Sequence, residues 1–309
     1  MNAETGLGNC FSGGCEAKFN LFTFIRAHVG GNNGDTINHI EAVAKELGWR
    51  PRKRVELAVE MDKGDLKLPD SMPLPINGRN LRYLEERRIS LDLARHFHLR
   101  YSHDGGFFYK DPSGKWRRQD YSKRIIIPVF NLDAELVSFQ GRDITGAATN
   151  KYLFPPGYAA AGRYLFDAHN VRGSKSVVIG EGVFDVMAIR SALDEECSLR
   201  EVGAIGTFGK HLSDEQLMML LTLKERGLEE VVFMWDGEPR AIQDACETAQ
   251  RVSKLGLRCR IAILPPGKDP NEVAPSVVRE AYWTAKVATL ETLVKLKMTF
   301  ALKAAQGSL

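Results

Sequence analysis

From residue 174 to residue 275 the chain alternates short, unbroken apolar runs with stretches of helical periodicity. Ser176-Val177-Val178-Ile179 precedes a helix expected over 185–193, and Val202-Gly203-Ala204-Ile205 precedes one over 213–226. Ser213 can cap that second helix, with Gln216 in the capping-box position. Val231-Val232-Phe233-Met234-Trp235 leads into a helix over 240–255, and Arg260-Ile261-Ala262-Ile263-Leu264 is a fourth run. Strands separated by helices in this order imply right-handed crossovers and a largely parallel sheet. A last amphipathic stretch, 277–304, reads as one helix.

Upstream the pattern is mixed. Helices are expected over 81–88 and, after Ser90, over 91–97. Strands are expected over 107–109, 124–130 and 136–140, separated by turn sequences at Asp111-Pro112-Ser113-Gly114 and Asn131-Leu132-Asp133. Nearer the amino end a short helix falls around 19–25. A second, with the stripe Ile37, Ile40, Val43, Ala44 and Leu47, can be capped by Asp35 or Thr36 and ended by Gly48.

A length of 309 residues leaves room for two or three domains, and 44% hydrophobic with 26% charged residues describes folded globular protein. No apolar run approaches the ~20 residues of a membrane span, and the polar, glycine-rich start does not resemble a signal peptide. A cytoplasmic protein with no membrane partner is expected. The net charge of +3 decides little, but basic residues cluster at 50–54 and 110–124. Such clusters can neutralise phosphates, and either alone is also what a solvated face looks like. Five scattered cysteines do not make a disulfide framework.

Chemistry concentrates at the strand ends, where open α/β sheets bind ligands. The first run ends in Glu181-Gly182, the third in Asp236-Gly237-Glu238, and the fourth leads to Gly267-Lys268-Asp269-Pro270. One such acid would be an ordinary turn residue. Three on a common edge point to a hard divalent cation, Mg²⁺ or Mn²⁺, and to two-metal phosphoryl chemistry. Two other motifs fail: Gly206-Thr207-Phe208-Gly209-Lys210 lacks phosphate-loop spacing, and Asp185 stands where a dinucleotide fingerprint needs glycine.

These residues resemble a known pattern. Glu181-Gly182-Val183-Phe184-Asp185-Val186 is similar to the Glu-Gly-x-x-Asp element of the Toprim domain, and Ala204-Ile205-Gly206-Thr207 to the strand and turn after it. Trp235-Asp236-Gly237-Glu238 takes the place of the Asp-x-Asp pair, and Leu264-Pro265-Pro266-Gly267-Lys268-Asp269-Pro270 that of the closing primase segment. Tyr83-Leu84 with Arg87-Arg88-Ile89-Ser90, Arg124-Ile125-Ile126-Ile127-Pro128-Val129, Gln140-Gly141-Arg142 and Lys151-Tyr152-Leu153 resemble upstream elements of bacterial-type, DnaG-like DNA primases. The resemblance covers about 81–275.

It implies an α/β Toprim domain with a mainly parallel sheet, behind a mixed α+β basic subdomain and a small zinc-ribbon remnant. It also implies RNA primer synthesis on single-stranded DNA from ribonucleoside triphosphates, in phage, mobile-element or bacterial replication, with a helicase or initiator as a further partner. By position, Glu181, Asp236 and Glu238 would be catalytic and hold Mg²⁺ or Mn²⁺, supported by Asp269 and Asp185. Arg124, Arg142 and Lys151 would line the template and nucleotide channel. Glu238 in place of an aspartate, and Asn271 where an acid is common, leave open a weakened site, a Toprim accessory protein that only binds nucleic acid, or a Toprim nuclease.

Cys10 and Cys15 resemble the second half of the ribbon that precedes such cores. The upstream pair is missing and four residues intervene instead of two, so a Zn²⁺ site stays open, with His28 and His39 as candidate extra ligands. The expected division is 1–50 ribbon-like segment and helix, 51–77 linker, 78–172 basic subdomain, 173–275 Toprim domain and 276–309 terminal helix.

Overall fold

The computed structural model describes residues 7–9, 18–30, 33–46, 66–111 and 113–305. The chain divides into two compact units, Met1–Ala58 and Val59–Leu309. In the first, β1 (Leu7–Asn9) and β2 (Lys18–Asn20) pair antiparallel and are followed by α1 (Leu21–Val29) and α2 (Asn33–Glu46). The helix expected around 19–25 starts later, because Lys18–Asn20 is drawn into the hairpin. Cys10 and Cys15 lie outside the described residues; His28 and His39 are exposed.

The second unit opens with β3 (Met72–Pro73), the short helices α3 (Arg82–Glu85) and α4 (Leu91–His96), then β4 (Arg100–Ser102) and β5 (Gly106–Lys110). β6 (Trp116–Asp120), β7 (Arg124–Phe130), β8 (Leu136–Asp143) and β9 (Tyr152–Leu153) complete this part. Strands β3, β4, β7, β8 and β9 form one antiparallel sheet in that order, and β5 and β6 a separate hairpin. Ser90 caps α4, its hydroxyl accepting from the Leu93 N–H at 3.1 Å.

β7 is buried on both faces, which is why its sequence is a continuous apolar run. Ile125 and Ile127 join the core shared with the following domain, while Ile126 packs with Phe107, Tyr121 and Phe139 on the other side. Two expectations need correction here. The stretch read as linker ends before 77, since Met72 and Pro73 pair with Tyr101 and Arg100 and Leu74 is buried. Trp116–Asp120, read only as a basic cluster, is a strand: its polar side chains sit on an exposed hairpin.

The parallel sheet has the order β11 (Gly203–Gly206), β10 (Ser176–Gly180), β12 (Glu230–Phe233), β13 (Arg258–Ile261), β14 (Lys286–Val287). Val178, Ala204 and Val232 face α5 (Val183–Asp194) and α8 (Pro275–Trp283), whereas Val177, Ile179, Ile205, Val231 and Phe233 face α6 (Asp214–Glu225), α7 (Pro239–Ser253) and α9 (Leu290–Ala305). The sheet is therefore wound on both faces. The chain steps outward from β10 to β11, then crosses back to β12, so the switch point lies between the tips of β10 and β12.

The single terminal helix expected over 277–304 is broken in two. Lys286 and Val287 pair antiparallel with Ile261 and Arg260, covering the edge of β13. Nothing between 277 and 304 is a glycine or proline, so no local breaker announces this; satisfying an open strand edge outweighs helix propensity. No described helix is long and apolar enough to cross a membrane.

Candidate active site

Glu181 leaves the tip of β10 with only 8% of its surface exposed. Its Oε1 accepts from the Asp236 N–H at 3.3 Å, which ties it to the loop leaving β12. One residue on, the Gly182 N–H donates to Asp185 Oδ2 at 2.8 Å. Asp185 thus closes the first turn of α5 while its carboxyl stays at the same crevice.

The Asp236 loop is stitched to the loop after β13. The Gly237 N–H donates to Lys268 O at 2.9 Å and the Gly267 N–H to Gly237 O at 3.3 Å. A Cβ on Gly237 would lie 2.1 Å from Pro265 O, so this approach of two backbones requires glycine. The stitching delivers Asp269, whose Oδ1 accepts from the Glu272 N–H at 2.8 Å.

A cavity of about 320 Å³ collects these groups. Glu181, Asp185, Asp236 and Asp269 reach it from the parallel domain, and Arg87, Arg142 and Lys151 from the antiparallel one. The Arg142 guanidinium is 4.6 Å from the Tyr152 ring centroid and 5.5 Å from that of Tyr83, and Arg87 stands 3.9 Å from the Tyr83 ring. Aromatic faces hold both guanidiniums without neutralising them.

The carboxyls repel one another. Burial first, and then the Asp236 charge, push Glu181 up to about 7, with Lys210 pulling the other way. Burial followed by Asp269 raises Asp185 well above the carboxylate range. Burial likewise raises Asp236, against the pull of Lys210, and raises Asp269 with help from Glu272. Lys210 Nζ stands 3.6 Å from Asp236 Oδ2 and 3.0 Å from Glu238 Oε2, a cation already in place at one edge of the cluster.

The donor set suits a hard cation. Besides the four carboxyls, Asn271 Oδ1 is buried beside the cavity and accepts no hydrogen bond. Asn271, read from the sequence as a lost acid, still brings an oxygen to this place. Among the described residues no three His, Cys, Asp or Glu side chains close on one point. Mg²⁺ does not demand that: it keeps several waters and usually takes one or two carboxylates plus substrate phosphates.

Of the residues picked from the sequence, Glu181, Asp185, Asp236, Asp269, Arg142 and Lys151 meet at this cavity. Glu238 does not line it: its side chain is 51% exposed and turned to Lys210. Arg124 is also elsewhere. It is buried, and its guanidinium donates to the carbonyls of Gly141, Asn150 and Lys151, so it straps the Lys151 segment to β8. Two residues escaped the sequence reading. Arg87 lies in the Arg87-Arg88-Ile89-Ser90 segment and Lys210 directly after Gly209; neither has a local signal that says which carboxylate or cavity it meets.

Residues 178–274 match the Toprim-like family model. The DNA primase of Halalkalibacterium halodurans is 23% identical over 339 residues, which take in 97% of this chain and 54% of that protein. The zinc-binding and RNA polymerase domains of the Aquifex aeolicus primase superpose with a TM-score of 0.55 at 18% identity, over 94% of this chain and 76% of that one. A DnaG primase catalytic domain bound to single-stranded DNA gives 0.53 at 19% identity, over 67% and 74% of the respective chains. The chain spans about half the length of the curated relatives it matches. These likenesses bear out the fold read from the sequence, an α/β Toprim domain behind a mixed α+β subdomain.

Proposed function

We propose, from the premise that this is the fold of a DnaG-like primase core with a Toprim domain, that the chain joins ribonucleotides into a short RNA primer on single-stranded DNA. The observation that carries the reading is the single cavity in which Glu181, Asp185, Asp236 and Asp269 meet Arg87, Arg142 and Lys151. Glu181 and Asp236 would hold the divalent cation, Mg²⁺ or Mn²⁺, with Asp269, Asp185 and Asn271 Oδ1 in support. When bound, the cation supplies activation of an attacking 3′-hydroxyl and charge compensation at the leaving phosphate.

The side chains do the rest. Arg87, Arg142 and Lys151 bind the anionic triphosphate and template backbone, and the aromatic stacking of Arg142 and Arg87 orients their donors. Arg124 positions Lys151 by fixing its backbone. Lys210 neutralises Asp236 and Glu238 until substrate and cation arrive. The nucleophile is a nucleotide 3′-hydroxyl, so no protein side chain forms a covalent bond.

One observation favours a second reading, a replication accessory protein that binds nucleic acid without catalysis. Glu238, in the place of a metal-binding acid, is paired with Lys210 at the surface and leaves the cavity one carboxylate short. Labelled ribonucleotides on a single-stranded template separate the readings, with Asp236→Ala as control. Extension products that vanish in the variant support primer synthesis; binding alone supports the accessory protein; template shortening indicates a Toprim nuclease.

A further inference from the structure

The hairpin β5–β6 carries a feature that the cavity does not use. Its register places Phe108 opposite Arg118 and Lys110 opposite Trp116. Residues opposite one another in an antiparallel pair share a face, and successive residues alternate. Phe107 accordingly points inward, 5.6 Å from the Phe139 ring and buried. Phe108, Lys110, Trp116 and Arg118 occupy the outer face. Phe108 is 63% exposed and Trp116 68%, the two most exposed aromatic side chains among the described residues.

Positive charge surrounds these rings. Lys110 Nζ is 5.3 Å from the Trp116 ring centroid. Arg118 lies along the strand, where a Cβ on Gly106 would meet its Nε at 2.2 Å, and it pairs with Asp120 at 3.1 Å. Lys115 and Lys123 in the flanking turns add to the basic border, while Arg117, opposite Tyr109 on the other face, is paired with Asp111 at 2.8 Å. The hairpin covers the face of β7 and β8 that carries Ile126 and Phe139, while Gln140 and Arg142, one residue out of phase, serve the cavity on the opposite face.

We infer that the outer face of this hairpin is a stacking platform for single-stranded nucleic acid, separate from the catalytic cavity. Two solvent-facing rings with interleaved cations match a strand whose bases offer π-faces and whose backbone offers phosphates. A protein partner would prefer these rings within an apolar surround, which Lys110 and Arg118 deny. The inference deepens the primase reading: the platform holds template on the far side of the sheet from the reaction.

The test uses the full chain and fluorescence anisotropy of a labelled oligodeoxythymidine. Phe108→Ala with Trp116→Ala should weaken binding at least tenfold, with melting temperature unchanged because both side chains are exposed. Lys110→Gln should flatten the salt dependence of binding by about 0.7 in log–log slope between about 50 and about 200 mM salt. Trp116→Phe should remove part of the tryptophan quenching that oligodeoxythymidine causes. Unchanged affinity in the double variant overturns the platform, and points to a protein partner for these rings. Affinity is read here without nucleotides and without catalysis. Loss of primer synthesis as an activity would leave the platform standing, and loss of the platform would leave primer synthesis standing.

Discussion

Glu181→Gln should make the metal-free protein more stable while removing its activity. Glutamine keeps the shape of the side chain, and its carbonyl oxygen can still accept from the Asp236 N–H, but it carries no charge. In the folded protein Glu181 is pushed from 4.5 to about 7. The unfolded chain therefore releases this proton first, and stability falls as pH rises through that window. At ~1.4 kcal/mol per pKa unit the ionised side chain costs on the order of 3 kcal/mol above the folded value. For a unit of this size that corresponds to roughly 6–12 °C in melting temperature. Calorimetry in chelator should show the variant melting higher at about pH 8 and nearly level with wild type at about pH 4. Adding Mg²⁺ should raise the wild type and leave the variant almost unmoved. An equal difference at both pH values, or a variant less stable at the alkaline end, would refute the claim that burial and the neighbouring Asp236 charge disfavour the ionised Glu181 until a cation binds.

Three further outcomes are expected. Lys210→Met removes the resident cation beside Asp236 and Glu238; a partly exposed pair is worth about 1 kcal/mol, so Mn²⁺ binding followed by calorimetric titration should tighten roughly fivefold. Gly237→Ala drives a methyl group into Pro265 O, and should cost about 2 kcal/mol or more in urea unfolding and abolish metal-dependent activity by separating Asp236 from Asp269. Arg124→Met leaves the carbonyls of Gly141, Asn150 and Lys151 without their donor. It should lower stability by about 2 kcal/mol and raise the KM for nucleotide through Lys151, and a change in kcat alone would contradict the strapping role.

The features legible in the sequence follow from short-range rules. Apolar runs such as Val177-Val178-Ile179 and Val231-Val232-Phe233 belong in a sheet covered on both faces, and they are found there. The acids after three of those runs had to stand at one edge, because parallel strands all end on the same side. Local rules also capped α6 at Ser213, whose hydroxyl accepts from the Gln216 N–H at 3.1 Å. Other features depended on partners distant in the chain. The break in the terminal helix follows from the open edge of β13, and the burial of Arg124 from three carbonyls up to 27 residues away.

By itself, then, the order of residues determined the alternation of strands and helices and the edge on which the carboxylates gather, since each depends on periodicity and on parallel strands ending at one side. Only the tertiary structure decided which charges share the cavity. Glu238 and Arg124 turn away from it while Arg87 and Lys210 come to stand beside or within reach of its acids. A side chain's electrostatic partners are set by packing between segments far apart in sequence, and no local pattern records them.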